Sequence, residues 1–286
     1  MKKIIALLLA LVMALSLAAC AGTPAEEPTT EATTEATTEA TEATEEVTEA
    51  APASLATTIA AEEVISYDDY IAAELESEVV IETVIQARQS WWDNKATFYT
   101  QDENGAYFIY NMPCTEADYA ELLPGTAIRV KGYKTAWAGE VEIAEGATFE
   151  ILGARDTAIS VADLSEKLGT EELVNYQNFK ACFRNATVVA STNAAGEEVP
   201  FMYGWDGSGE AGTDADLYFN LEINGVTQTF VVEYYTCDDA GNYGDYTEVY
   251  KAVQNLQIGD TIDTVMAYMY WYEGAQPHVS GVMVVG

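Results

Sequence analysis

From Val64 onward, short apolar runs alternate with Gly, Pro, Asn and Asp punctuation. Val79 to Ala87 is rich in β-branched residues and reads as a strand. Trp91-Trp92-Asp93-Asn94 forms a loop, and Ala96 to Gln101 a second strand. Asn104-Gly105 is a hairpin signal leading into a third strand, Tyr107 to Asn111. Thr115-Glu116-Ala117-Asp118 caps a helix ending near Leu122. Pro124-Gly125 then turns the chain into a fourth strand, Thr126 to Tyr133, and a short aromatic loop holds Trp137. A fifth strand covers Glu140 to Ile143, with an extension through Phe149 to Leu152 as the longer option. Upstream, Ser66-Tyr67-Asp68-Asp69 has the form of a capping box opening a short helix to about Leu75.

The second half repeats this plan. Phe179 to Ala190 reads as a long first strand, and Leu217 to Ile223 and Val226 to Tyr234 flank Asn224-Gly225. Asp245 to Leu256 predicts a helix with Val249, Val253 and Leu256 on one face. Ile258-Gly259-Asp260 opens the fourth strand, Trp271 follows, and Val279 to Val285 is the fifth. Gly125 and Gly259 are 134 residues apart, as are Trp137 and Trp271, whereas Asn104 and Asn224 are 120 apart. The extra 14 residues fit an insertion around Asp238 to Asp245, which is how duplicated modules diverge. Between the copies, Ser160-Val161-Ala162-Asp163 is expected to cap a helix through Leu168.

Three strands, a helix and two strands is the order of an OB-fold, a five-stranded Greek-key barrel whose helix plugs one end. The fold expected is therefore mainly β, with two tandem OB-fold-like barrels; a single large β-sandwich is the rival. Trp91-Trp92-Asp93, Tyr107-Phe108-Ile109-Tyr110, Leu123-Pro124-Gly125 and Gly132-Tyr133 resemble the OB-fold domains of exported clostridial lipoproteins. That resemblance implies the fold and names no ligand.

The N-terminus supplies an address. Lys2 and Lys3 precede an apolar run from Ile4 to Leu17, the layout of a secretory signal and short for a bilayer span of about 20 residues. Leu17-Ala18-Ala19-Cys20 resembles the bacterial lipobox. The resemblance implies cleavage before Cys20 and a diacylglyceryl group on its sulfur, hence a lipid anchor (the palmitate class) on the outer face of the cell membrane. Residues 21 to about 60 are nearly all Thr, Glu, Ala and Pro, with repeats such as Thr33-Thr34-Glu35-Ala36. Such a run has too little apolar surface to offset ordering and reads as a disordered tether like those of Gram-positive surface lipoproteins. The expected organisation is signal peptide 1–19, lipidated Cys20 and tether 20–62, first barrel 63–155, connector 156–175 and second barrel 176–286.

Charge then narrows the partner. The chain carries 47 acidic and 12 basic residues, a net charge of −35, and from Val64 onward 36 acids still face ten bases. That balance repels polyanions and disfavours nucleic acid. Cys114, Cys182 and Cys237 are an odd set; buried free thiols are expected, with a Cys182–Cys237 pair as the alternative. The single histidine, His278, reads as a surface strand residue with Ser280 on the same side. No catalytic constellation stands out, and no cofactor is expected. Asp206, Asp214 and Asp216 are weak Ca²⁺ candidates, but Leu217 stands where an EF-hand needs its glutamate.

The aromatics are the most usable clue. Trp91, Trp92, Tyr133 and Trp137 in the first module, and Trp205, Tyr270, Trp271 and Tyr272 in the second, fall at or near loops that flank an OB-fold's binding face. Their other reading is core at the barrel ends. The function expected is a non-catalytic surface lipoprotein presenting two modules to a glycan, peptide or protein. Single-stranded nucleic-acid binding, or an accessory role in a surface enzyme or transport complex, is the alternative.

Overall fold

A computed structural model describes residues 53–155 and 160–284; the signal segment, Cys20, the tether through residue 52, the first four positions of the expected connector (156–159) and the end of the expected last strand (285) lie outside the described residues. The first barrel comprises α1 (Tyr67–Ala72), β1 (Glu78–Arg88), β2 (Lys95–Gln101), β3 (Ala106–Pro113), α2 (Glu116–Glu121), β4 (Thr126–Trp137), β5 (Glu140–Ile143) and β6 (Thr148–Ala154). Its strands run β1-β2-β3-β5-β4, and β4 returns to β1 to close the barrel. The β3–β5 pair is parallel and the other closing pairs are antiparallel, the OB-fold pattern.

The second barrel begins with β7 (Ala162–Asp163) and β8 (Lys180–Val189). A long loop carries β9 (Ser191–Thr192), β10 (Glu198–Val199) and β11 (Met202–Tyr203). Then come β12 (Leu217–Ile223), β13 (Val226–Val232), α3 (Glu248–Gln254), β14 (Thr261–Trp271) and β15 (Ala275–Val284). It closes as β8-β12-β13-β15-β14-β8, again with one parallel pair, β13–β15. Two closed barrels dispose of the sandwich alternative.

Both cores follow from strand alternation. Tyr107 and Ile109 of β3 point into the first barrel with Phe98, Ile81 and Phe149. Phe183, Phe219 and Phe230 fill the second, where Val253 of α3 and Leu256 just after it plug one end. Each such side chain contributes about 1.5–3 kcal/mol by leaving water. The helix caps are those the sequence signals. Ser66 accepts from the Asp69 amide, and Thr115 and Asp118 form a reciprocal capping box.

Several expectations change. The tether was expected to reach residue 62, but residues 54–59 lie along the first barrel. Leu55 N donates to Asp118, Thr57 N to the Phe149 carbonyl and Ile59 N to Glu150, and Ile59 is buried. Buried Ile59 and these hydrogen bonds hold the segment on the barrel despite its polar composition. The fifth strand is not extended: it ends at Ile143, and a turn through Gly146 at φ 93° leads into a separate β6 that pairs only with β4. The helix expected over Ser160–Leu168 is absent. β7 pairs in parallel with β8, and Asp163 binds the Ser165 amide and hydroxyl, a local turn that competes with a helix. Leu164, Leu168 and Leu173 enter the second core, so the described part of the connector is built into that barrel. β14 runs through Trp271, and β15 starts at Ala275 rather than Val279. Cys114, Cys182 and Cys237 are free thiols. No described helix is long and apolar enough to cross a membrane.

Candidate ligand cleft between the barrels

The barrels meet through a side-by-side interface. Tyr99 of β2 stacks on Tyr268 of β14 with centroids 4.8 Å apart, and Phe108 of β3 meets Tyr270 edge-on at 5.2 Å. The segment after β13 hydrogen-bonds the end of β1: Ser90 N donates to Tyr235 O at 2.8 Å and Cys237 N to Arg88 O at 2.9 Å. At another edge the β4–β5 and β14–β15 turns touch, Glu273 N donating to Ala138 O at 2.7 Å.

Above this contact lies a cleft of about 730 Å³, lined from both barrels. That volume suits a small ligand or a short peptide. Local rules explain its rim. Tyr107 and Ile109 point inward on β3, so Phe108 and Tyr110 point outward into the cleft. Trp137 ends β4 at a two-residue turn, Ala138-Gly139, with φ 50° and 97°, the positive-φ pair that matches strand twist. Trp205 sits in a β-turn whose ends are joined by Gly207 N donating to Gly204 O at 3.2 Å. Trp137 is 64% and Trp205 77% exposed. Tyr218, Tyr270 and Tyr272 complete the aromatic wall.

The floor is polar and connected. Tyr99 donates its hydroxyl to Glu233 Oε2 at 2.9 Å and lies 2.6 Å from His278 Nδ1. Gln89 from the first barrel and Thr236 also donate to Glu233. The His278 ring stacks on Tyr270 at 4.3 Å. Burial alone would raise the Glu233 carboxyl. The neighbouring His278 and the Gln89 and Tyr99 hydrogen bonds outweigh that, holding it at about 2. Burial, then Glu233, push the Tyr99 phenol well above its ordinary value, so its proton stays in place. Asp216 lies in the same cleft, its Oδ1 accepting from Tyr234 N at 2.7 Å.

The structure brings Trp137, Trp205, Tyr270 and Tyr272 together and leaves the other candidates elsewhere. Trp91 packs against the first core and donates Nε1 to the Cys114 carbonyl at 2.9 Å. Trp92 lies outside this cleft, with Lys95 over its ring at 4.5 Å. Tyr133 is solvent-exposed on β4. Trp271 packs on the second core, under Gly139. The surface reading of His278 is corrected: it is 7% exposed, because a strand that is peripheral to one barrel is covered by the other. Ser280 does not share its side. The β14–β15 register skips it between Gly281 and Val279, and this bulge leaves Ser280 exposed. Asp206 is occupied by the Ser208 amide and hydroxyl, and Asp214 is exposed. Among the described residues, no three His, Cys, Asp or Glu side chains gather where a metal ion could sit.

Tyr99, Tyr110, Tyr218 and Glu233 were not among the sequence candidates. One signal for them was on view: Tyr107-Phe108-Ile109-Tyr110 puts aromatics on both faces of one strand, which a lone barrel does not require.

No protein-family model and no curated protein matches this chain. Among solved structures it is similar to the p204 HINb domain, at 11% identity and TM-score 0.29, over 71% of this chain and 95% of that one. It is also similar to the tetrameric p202 HIN2, at 12% identity and TM-score 0.29, over 74% and 96%. A murine DNA binding protein bound with ds DNA is similar at 9% identity and TM-score 0.32, over 72% and 96%. Likeness at these values bears on fold at most and says nothing of ligand; the fold stands on the strand order.

Proposed function

We propose that the chain is a non-catalytic binding protein of a bacterial cell surface, anchored by lipid on Cys20, that offers the cleft between its two OB-fold-like barrels to an extracellular glycan, peptide or protein. The supporting observation is the gathering of Trp137, Trp205, Tyr270 and Tyr272, from loops and strand ends of both barrels, in one cavity. Rigid aromatics with exposed faces give large contact area at low entropic cost. Asp216, Glu233 and Glu273 line the cavity too, and their carboxylates repel phosphate, which weighs against the nucleic-acid alternative. The anchor has its own test: Cys20→Ser should move the protein from the membrane to the soluble fraction, and an unchanged membrane fraction would contradict the anchor. For the cleft, a glycan and peptide array probed with the full chain should give hits that Trp137→Ala with Trp205→Ala removes. Hits that survive the double substitution would place the site elsewhere.

A further inference from the structure

The cleft's charges are one-sided. Asp216, Glu233 and Glu273 line it, no Lys or Arg does, and the remaining titratable base is His278. The hydrogen bonds fix what His278 offers. Tyr99 commits its single proton to Glu233, so the 2.6 Å contact with His278 requires Nδ1 to carry a hydrogen. No described residue bonds Nε2, although the ring is nine-tenths buried and lines the cleft. Glu233 already accepts from Gln89, Tyr99 and Thr236, whereas the Asp216 carboxylate accepts only from the Tyr234 amide among the described residues and keeps room for a further donor.

The walls fit the same ligand. Trp137, Trp205 and Tyr272 present exposed faces, and such faces attract organic cations through the ring quadrupole. A neutral ligand would strip water from the carboxylates and return no counter-charge. Burial, and then the neighbouring Glu233, hold the Asp216 carboxyl above the usual carboxylate range despite the Tyr234 hydrogen bond and the nearby His278. A cation between the two carboxylates would relieve that repulsion.

We infer that the cleft recognises an ammonium or guanidinium group, seated between Asp216 and Glu233 and flanked by Trp137, Trp205 and Tyr272. The inference rests on the cleft being the ligand site and narrows its chemistry. The cation can come from a basic side chain of a peptide or from a free polyamine, and the test separates these sources.

The experiment is calorimetry on the full chain at physiological salt, with tetralysine peptide, tetraglutamine peptide and spermidine. The acidic tether will bind cations loosely, so each titration is repeated on Asp216→Asn and on Trp137→Ala with Trp205→Ala. All three residues are at least partly solvent-accessible, and thermal melts check that each variant folds. Tetralysine, spermidine or both should bind at least about tenfold more tightly than tetraglutamine, and each substitution should remove about tenfold. Tetralysine alone identifies a peptide source; spermidine at equal strength identifies the free cation. Cation binding that ignores both sets of substitutions, or no cation binding at all, overturns the inference. If tetraglutamine or a neutral glycan binds instead, and the tryptophan substitutions abolish it, the cation falls while the cleft stands.

Discussion

The two barrels place the same residue in the same position and use it differently. Trp137 ends β4 and Trp271 ends β14, 134 residues later, each just before a turn with positive φ. Trp137 projects into the cleft, whereas Trp271 packs on its own core with Gly139 of the other barrel against it. The loops between the first two barrel strands differ in the same way. In the first barrel this loop is short and tucks Trp91 against the core; in the second it is long and holds Trp205 out at a turn. The two barrels thus share the closed sheet and its plug, and they differ in loops and in the segment after β13. Those differences make the interface and the cleft.

The paired Asn-Gly hairpins sharpen this contrast first. Asn224 and Gly225 have φ of 52° and 79°, a two-residue hairpin turn in open space. Gly105 does not have positive φ. Its turn is held by Asp102, which accepts from the Asn104 and Gly105 amides, and a Cβ there would lie 2.0 Å from the Tyr67 ring. Gly105→Ala should therefore cost about 1–3 kcal/mol by overpacking. Gly225→Ala should cost about 1 kcal/mol from φ alone. Denaturant unfolding of both checks this, and equal costs would break the distinction.

Trp271→Ala should cost about 2–3 kcal/mol of stability for a half-buried aromatic, whereas Trp137→Ala should stay within about 0.5 kcal/mol. Thermal melts separate them, and a Trp137 variant that melts like the Trp271 variant would make both tryptophans core. Glu233→Gln should cost about 1–3 kcal/mol, because Gln89, Thr236, Tyr99 and His278 lose their shared charged acceptor. The wild-type contribution of Glu233 is present above the unfolded carboxylate range near pH 4.5. It should fade as pH drops toward 2.

A pH effect is the most specific to the paired turns. Glu140 begins β5 directly after Gly139 and is fully buried; the Asn178 side chain and the Trp271 backbone near its oxygens offset that burial only in part. Burial raises its carboxyl to about 8 and that of Glu142 to about 7. The folded state keeps protons that the unfolded chain releases near pH 4.5. These two residues therefore erode stability as pH rises from about 4.5 to 8. Glu140→Gln should flatten the fall in melting temperature across that window. An unchanged slope would mean the interface already hydrates the group.

Much of the fold was legible because it is local. Capping residues at Ser66 and Thr115 and the turn glycines Gly125 and Gly259, both near φ 90°, announce themselves within a few residues. Residues 160–168 failed because a turn built on Asp163 imitates a helix cap. The cleft was half legible. Aromatic content near loops marked four of its residues, but sorting Trp137 from Trp271, or seeing that His278 is covered, depends on how one barrel lies on the other. No periodicity within either barrel encodes that.

The most direct test is binding by the full chain on a glycan and peptide array, wild type beside Trp137→Ala with Trp205→Ala and beside Trp92→Ala. The cleft predicts that the double substitution removes the hits while Trp92→Ala, outside the cleft, leaves them intact. Hits lost with Trp92→Ala and kept in the double variant would contradict it.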